Sequence, residues 1–219
     1  GILAQQLFPG GVDLGDFIPG NFPKAFSETS RLLVEKNTII YEAGFKHEIL
    51  LCFMDILTCT DNKYKAYEVK GSTSVKDIYL WDTALQYYVI TSNGIELEDI
   101  SVVYLNTSYI KNGEIDVHQL FTIESVKERI LLLQPKVKQH IKQMNAMLAI
   151  PDIPDIVIGP HCSDPYDCSF MGHCWKQVPN NSVFSYKGIK GNTKWELFNS
   201  DITTVEEIPD NYPLNNTDQ

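Results

Sequence analysis

The chain has 219 residues and a formal net charge of −10. A chain of this length forms one α/β domain with a sizeable core or two small domains, and its acidic charge argues against a strongly basic nucleic-acid binder. No apolar run reaches the roughly 18 residues that a transmembrane helix needs, so we expect no membrane partner. The first residue is Gly1, and no signal peptide is visible. We therefore expect a fragment whose native start is missing.

The predicted elements follow the order helix, three strands, helix, strand, helix. This order predicts an α/β fold with a small mixed sheet flanked by helices. Hydrophobic periodicity and turn residues place the elements at 22–36 (helix), 38–45, 49–57 and 64–70 (strands), 77–90 (helix), 100–105 (strand) and 123–148 (helix). Thr122 is expected to cap the last helix, and Pro135 is expected to kink it.

The composition changes at residue 159, where His, Cys, Pro, Asp and Gly become frequent. We therefore divide the chain into a core at 1–158 and a cysteine-containing segment at 159–219 that packs on this core. The polar residues 215–219 are expected to fray.

The most informative residues lie on the second and third predicted strands. Glu68 and Lys70 are two apart on one strand, so their side chains point to the same face. A tight turn at Asp61-Asn62 would pair the two strands so that Asp55 lies directly opposite Glu68. Asp55 also interrupts an almost continuous apolar run, where a lone buried carboxylate is costly.

Two opposed carboxylates predict a cation site. Directly opposed residues hold their Cβ atoms roughly 4.5–5.5 Å apart, and like charges are unfavourable there. A divalent cation between Asp55 and Glu68 would remove the repulsion, and such oxygen ligands suit Mg²⁺ or Mn²⁺. Lys70 could stabilise phosphate charge or orient a metal-activated water. The alternative is a plain ion-paired hairpin, in which Lys70 bonds a carboxylate without any chemistry.

The preceding hairpin bears on the role of Glu42. A tight turn at Lys46-His47 would pair Glu42 with Leu51. Leu51 precedes Asp55 by four residues, or about 13 Å at strand rise. We therefore expect Glu42 to share the face of the carboxylate pair without reaching the same ion, and to have a structural role.

One Asp on a strand, followed by E-x-K on the next strand, resembles the signature of the PD-(D/E)XK nuclease superfamily. On the following helix, Asp82 and Gln86 are four apart and share a face, and Gln86 resembles the additional glutamine of the RecB-like branch. The LFPGG opening, the IYEAGF strand and the cysteine-rich end together resemble an uncharacterised bacterial group. In that group a nuclease domain is joined to a C-terminal domain of the same polypeptide.

This resemblance implies a restriction-endonuclease-like core and a deoxyribonuclease that uses Mg²⁺ or Mn²⁺. Its implied substrate is DNA with a single strand or a free end. The implied catalytic residues are Asp55, Glu68, Lys70 and Gln86, and the implied metal ligands are Asp55, Glu68 and the carbonyl of Val69. The alternative is a catalytically inactive nucleic-acid-binding or scaffold module that has kept the fold.

The chain has five cysteines, and an odd count argues against a disulfide framework and indicates a reducing cytoplasm. Cys162, Cys168 and Cys174 are evenly spaced, which suggests metal ligation. They resemble the trailing cysteines of CRISPR-associated iron–sulfur exonucleases, in which one cysteine before the nuclease core and three after it hold a [4Fe–4S] cluster.

The upstream cysteine of that set has no counterpart here, because no cysteine precedes Cys52. We therefore expect a cluster in the intact protein only and free thiols in this chain. A zinc site that combines the cysteines with His161 or His173 is the other alternative.

Overall fold

The computed structural model describes residues 1–35, 37–189, 191–209 and 211–212. The chain forms two compact units, Gly1–Leu148 and Ala149–Gln219. The predicted division into a core at 1–158 and a segment at 159–219 stays a prediction. The predicted frayed tail at 215–219 lies outside the described residues. That the cysteine-containing segment packs on the core stays a prediction.

The first unit contains a six-stranded mixed sheet flanked by helices, which confirms the predicted α/β class. Its strands are β1 (Val12–Asp13), β2 (Thr38–His47), β3 (Leu50–Thr60), β4 (Lys63–Val69), β5 (Leu97–Leu105) and β6 (Phe121–Ser125). Its α-helices are α1 (Ile2–Gln5), α2 (Phe22–Leu32), α3 (Asp77–Ser92), α4 (Val117–Leu120), α5 (Lys127–Leu131) and α6 (Gln134–Leu148). The described part of the second unit includes the short helices α7 (Met171–Cys174) and α8 (Thr193–Asn199).

The strands lie in the sheet in their chain order. β1 and β2 are parallel, as are β4 and β5, and the other neighbours are antiparallel. A parallel pair needs a long crossover connection, and α3 is the crossover between β4 and β5. This topology brings α3 back across the sheet beside the end of β4, where the candidate residues lie.

The sheet is buried on both faces, which explains why β3 is almost continuously apolar. Its larger core packs against α3 and α6, and includes Met54 and Leu57 of β3. A smaller core on the other face contains Ile56 of β3 with Ala4 of α1 and Phe8. The two cores together fix the register of β3, since a slip by one residue would exchange the faces.

The alternation of side chains between the two faces breaks at Glu42 and Asp55. On β3, Met54 and Ile56 are two apart yet belong to different cores, although a regular strand would put them on one face. The same break separates Ala43 from Tyr41 on β2. The ladder pairs Ala43 with Met54 and Tyr41 with Ile56. A local irregularity in both strands therefore lies at Glu42 and Asp55, and Glu42 has a φ of +56° there.

Two details of the predicted elements are wrong. Residues 121–125 form the edge strand β6, paired antiparallel with β5, rather than the start of a long helix capped by Thr122. Pro135 lies in the first turn of α6 and does not kink a continuous helix, because this position needs no backbone N–H donor. The helical region is therefore divided into α5 and α6.

Candidate functional site

The hairpin of β3 and β4 has the predicted register. Thr60 pairs with Lys63 across the Asp61-Asn62 turn, whose residues have φ of 51° and 63°. Two successive positive φ angles are characteristic of a type I′ turn. The regular ladder ends at the pair of Ile56 and Tyr67. Asp55 and Glu68 are the next two residues in this register, directly beyond the end of the ladder.

Asp55 takes part in the backbone bonding at this end of the hairpin. The backbone N–H of Val69 donates to Oδ2 of Asp55 at 2.7 Å. Had the ladder continued, Val69 would have paired with Met54 instead. The carboxylate of Asp55 therefore replaces a backbone acceptor at the point where the strands stop pairing, and it lies next to Glu68 and Val69.

Glu68 is buried, with 7% of its surface exposed. Its Oε1 accepts a hydrogen bond from Nζ of Lys70 at 2.7 Å, and its Oε2 accepts one from Nε2 of Gln86 at 2.9 Å. Burial and then the charge of Asp55 raise the pKa of Glu68 to about 7, because both disfavour a second negative charge. The sheet and α3 thus hold a carboxyl group that binds a proton more readily than an exposed glutamate does.

Asp82 completes a ring of hydrogen bonds around Glu68. Its Oδ2 accepts from Nζ of Lys70, and its Oδ1 accepts from Nε2 of Gln86 at 3.3 Å. Two carboxylates, Glu68 and Asp82, are therefore bridged by one ammonium and one amide group. Asp82 and Gln86 are one helical turn apart on α3, so the ring ties α3 to the end of β4.

The ammonium of Lys70 stays charged in this ring. Burial disfavours the charge, but Glu68 and Asp82 outweigh burial, and the pKa of Lys70 is raised. Its backbone is fixed as well, since its N–H donates to the carbonyl of Val103 on β5 at 2.8 Å. Lys70 is thus held by both its main chain and its side chain.

Gln86 has one acceptor that remains unpaired. Both of its bonds in the ring use the amide nitrogen, and its Oε1 is a buried atom without a hydrogen-bond partner among the described residues. An unpaired buried acceptor costs about 1–3 kcal/mol. The two carboxylates therefore orient the amide of Gln86 so that its nitrogen is hydrogen-bonded and its oxygen is left without a hydrogen-bond partner among the described residues.

Glu42 lies nearer to Asp55 than the sequence predicts, and the predicted pairing of Glu42 with Leu51 is wrong. The turn between β2 and β3 lies at Glu48-Ile49, and Leu51 pairs with Lys46. In this register Glu42 faces Asp55. Burial and then the charge of Asp55 raise the pKa of Glu42, which indicates that the two carboxylates interact.

Two clefts are lined by residues of this region. Val69, Lys70 and Gly71 line a cleft of about 370 Å³ beside α1. Asp13 and Glu42 line a neighbouring cleft of about 350 Å³. The side chain of Asp82 is 41% exposed, so the ring is accessible from solvent on the α3 side.

The predicted site residues lie close together, but only some of them are joined by direct hydrogen bonds. Glu68, Lys70 and Gln86 are directly hydrogen-bonded, Val69 bonds Asp55, and Asp55 interacts with Glu68 electrostatically. The sequence reasoning gave no role to Asp82 and expected Glu42 not to reach the ion of the carboxylate pair. Asp82 lies four residues before Gln86, which places both side chains on one face of the helix. This spacing was the signal that could have included Asp82 in the site.

The described residues contain no group of three or more His, Cys, Asp or Glu side chains arranged to hold a metal ion. Mg²⁺ usually takes one or two protein carboxylates and keeps several waters, so a pair of carboxylates fits its requirements. Each carboxylate oxygen has two lone pairs, so the oxygens of Glu68 that bond Lys70 and Gln86 keep capacity for a cation. Asp55 and Glu68 therefore fit a hard divalent cation.

In the part of the second unit that the structure describes, the cysteines form no such group. Among the described residues, none of the five cysteines takes part in a disulfide bond. Cys162 is buried, Cys168 is exposed, and Cys174 is half-buried. The backbone N–H of Cys168 donates to the carbonyl of Cys162 at 2.8 Å. An iron–sulfur or zinc site in the intact protein stays a prediction.

Comparison with protein-family models and with curated proteins identifies no match for this chain. No protein-family model matches it, and none of the curated proteins matches it significantly. None of the described helices is both long and apolar enough to cross a membrane. The PD-(D/E)XK resemblance and the restriction-endonuclease-like identity of the core therefore stay predictions, and the geometry around Glu68 is the physical basis for assessing them.

Proposed function

We propose that this chain hydrolyses phosphodiester bonds of DNA with Mg²⁺ or Mn²⁺, as the nuclease domain of a larger protein related to the RecB-like branch of the PD-(D/E)XK superfamily. The proposed site consists of Asp55, Glu68, Lys70 and Gln86, with the carbonyl of Val69 as a further metal ligand. The observation that carries the proposal is the convergence of Asp55, buried Glu68 and Lys70 at the end of one hairpin.

The charge balance of the site supports a bound cation. Asp55, Glu68, Asp82 and Glu42 are four acidic groups, and Lys70 is the ammonium among them. Burial is the largest cause of the raised pKa of Glu68, and repulsion from the charge of Asp55 is the second. A divalent cation held by Asp55 and Glu68 would relieve this repulsion and would displace the proton of Glu68. Mg²⁺ and Mn²⁺ suit these oxygen ligands.

A bound Mg²⁺ or Mn²⁺ lowers the pKa of a water ligand and stabilises charge on a phosphoryl oxygen. The chain's own residues supply the remainder of the mechanism. Lys70 keeps its positive charge and stabilises negative charge that develops on the phosphate. Gln86 donates to Glu68 and so fixes the orientation of this carboxylate. Asp55 is fixed by the N–H of Val69, so both ligands are preorganised.

DNA with a single strand or a free end is the proposed substrate, and the resemblance alone supports this choice. The chain has a formal net charge of −10, so a nucleic acid must be bound through local cations and the metal rather than through an overall attraction. The proposed cytoplasmic location, the C-terminal domain of a longer polypeptide and a [4Fe–4S] cluster in that intact protein also rest on the resemblance.

A cleavage assay tests the proposal. The protein is incubated with end-labelled single-stranded DNA, double-stranded DNA and RNA of the same sequence, with Mg²⁺, Mn²⁺ or EDTA. We expect cleavage of DNA that requires the metal and falls at least about 100-fold in Lys70→Ala and Glu68→Gln, as expected for groups that stabilise the transition state. Exposed Lys65→Ala on the same strand is the matched control and should cleave like the wild type. Equal residual cleavage by wild type and Lys70→Ala refutes the assignment.

The closed ring favours a second candidate, a catalytically inactive nucleic-acid-binding or scaffold module. Both oxygens of Glu68 and both of Asp82 already accept hydrogen bonds. Such a network can hold α3 against β4 without having any catalytic role. For this candidate, Lys70→Ala lowers the melting temperature, no metal-dependent cleavage occurs in any sample, and the chain binds labelled DNA without cleaving it.

A further inference from the structure

We infer that Asp82 is a positioning residue that holds the ammonium of Lys70 and the amide of Gln86 in the orientation that the site needs. The catalytic consequence of this inference rests on the proposed function. Its structural part, that Asp82 holds Lys70 and Gln86, rests on the hydrogen bonds of the ring alone. Asp82 accepts from Lys70 on one oxygen and from Gln86 on the other. It is therefore the only ring member on α3 that bonds Lys70 among the described residues.

The donors of the ring match two carboxyl groups that accept on both of their oxygens. An ammonium offers donors only, and the NH₂ group of Gln86 also offers donors only. Glu68 and Asp82 lie between these donors, so each must accept on both oxygens. An asparagine at position 82 has one acceptor and one NH₂ group. Either orientation of this amide would set a donor against a donor, at Lys70 or at Gln86.

Asp82 also differs from Glu68 in its surroundings. Glu68 is 7% exposed, whereas the side chain of Asp82 is 41% exposed. The exposed carboxylate bonds the same ammonium from the solvent side, so Lys70 is held from two directions. Without Asp82, the side chain of Lys70 would have one carboxylate anchor and could rotate about the torsions of its flexible stem. The catalytic consequence is a less favourable orientation of Lys70 rather than the loss of a metal ligand.

The test compares Asp82→Asn and Asp82→Glu with the control Asp77→Asn. Asp77 is an exposed acid on the same helix and takes part in no hydrogen bond or ion pair that the described residues make. The first measurement does not depend on activity. It is the rate at which an acylating reagent modifies Lys70, followed residue by residue by mass spectrometry, with Lys65 of β4 as the internal standard.

We expect Asp82→Asn to increase the acylation of Lys70 at least about fivefold, because a charge-assisted bond to the ammonium is lost. Lys65 should react as before, Asp77→Asn should behave like the wild type, and Asp82→Glu should restore most of the protection. An unchanged acylation rate of Lys70 in Asp82→Asn overturns the inference, whether or not the protein proves to be a nuclease.

The second measurement is steady-state cleavage by the same variants. We expect Asp82→Asn to lower kcat about tenfold or more with little change in KM or in the Mn²⁺ dissociation constant, because Asp82 orients Lys70 and ligates no metal. Asp82→Glu should recover part of kcat. Increased acylation together with wild-type kcat also overturns the positioning role. Absence of cleavage in the wild type refutes the proposed function instead, and the acylation result still decides whether Asp82 holds Lys70.

Discussion

Val69 donates its backbone N–H to Oδ2 of Asp55 at 2.7 Å, so the bonding between β3 and β4 ends on a carboxylate. This bond gives Asp55 a structural role beside its proposed metal-binding role. The two roles depend on different properties of the side chain. The structural role requires an acceptor atom, whereas metal binding requires a negative charge. Substitutions at Asp55 can therefore separate them.

Asp55→Asn should change the free energy of unfolding by less than about 1 kcal/mol, because an asparagine oxygen can still accept from Val69. Asp55→Ala should cost about 1–3 kcal/mol, because it leaves the N–H of Val69 without this acceptor. Both substitutions should abolish metal-dependent cleavage. Urea denaturation measures the difference, and equal losses of stability in the two variants would contradict the structural role.

The pH dependence of stability should report the buried carboxyl of Glu68. Its pKa in the folded protein, about 7, lies above the ordinary value of 4.5. Between these values the folded state binds more protons than the unfolded state, so this group makes the protein more stable as the pH falls from 7.5 to 4.5. The gain is at most about 3 kcal/mol.

The comparison is with Glu68→Gln, which cannot titrate at this position. Wild type should gain stability relative to Glu68→Gln as the pH falls through this window, as measured by urea denaturation in metal-free buffer. The difference between the two proteins would stay constant with pH if the pKa of Glu68 were ordinary.

Glu42 should strengthen metal binding through its charge, because it faces Asp55 in the observed register. Glu42→Gln should weaken Mn²⁺ binding about fivefold, which corresponds to about 1 kcal/mol. The matched control is Glu96→Gln, which removes an equal charge from an exposed residue. Isothermal titration with Mn²⁺ compares the three proteins, and identical affinities would show that Glu42 has no influence on the site.

Gly44 is expected to be essential for the packing of α2 on the sheet. A Cβ atom at this position would lie 2.9 Å from Cδ1 of Phe26 and 3.0 Å from Cε1 of Phe53, and such overpacking typically costs about 1–3 kcal/mol. Gly172→Ala is the control, because nothing lies within 4 Å of its added Cβ. Thermal unfolding should show a lower melting temperature for Gly44→Ala only.

The cysteine prediction concerns the intact protein. If Cys162, Cys168 and Cys174 are the trailing ligands of a cluster, anaerobically purified protein should contain iron and acid-labile sulfide, and both should fall in Cys168→Ser. Zinc in place of iron would support the alternative site with His161 or His173. Elemental analysis of the intact protein distinguishes the two.

The register of the second hairpin could be predicted from sequence because its turn has specific chemistry. Asp61 and Asn62 tolerate the positive φ angles of a type I′ turn, and this turn determines the pairing of every later residue. The first hairpin has no comparable signal. Moving its turn by two residues, from Lys46-His47 to Glu48-Ile49, changes the partner of each residue by four positions, and this even shift leaves each side chain on its face. The hydrophobic pattern therefore could not distinguish the two registers, and Glu42 was misjudged.

The strand at Phe121–Ser125 was mistaken for helix because five residues carry little periodic signal, and the helical pattern follows directly. Pairing with β5 decides its conformation, and this pairing is not visible locally. The contact of Asp82 with Lys70 likewise depends on how α3 packs across the sheet. Sequence reasoning thus found the site residues of one hairpin, and the resemblance added Gln86, but the contact of Asp82 with Lys70 was missed.

Binding of Mn²⁺ to the metal-free protein tests the central claim most directly, since the claim is that Asp55 and Glu68 hold a divalent cation. Titration calorimetry at pH 8 should show saturable binding by the wild type and by Lys70→Ala, and a loss of that binding in Asp55→Asn and Glu68→Gln. Between pH 7 and pH 6 the affinity of the wild type should fall about fivefold, because Glu68 must release a proton. Absence of Mn²⁺ binding by the wild type, or equal binding by Glu68→Gln, would contradict the account.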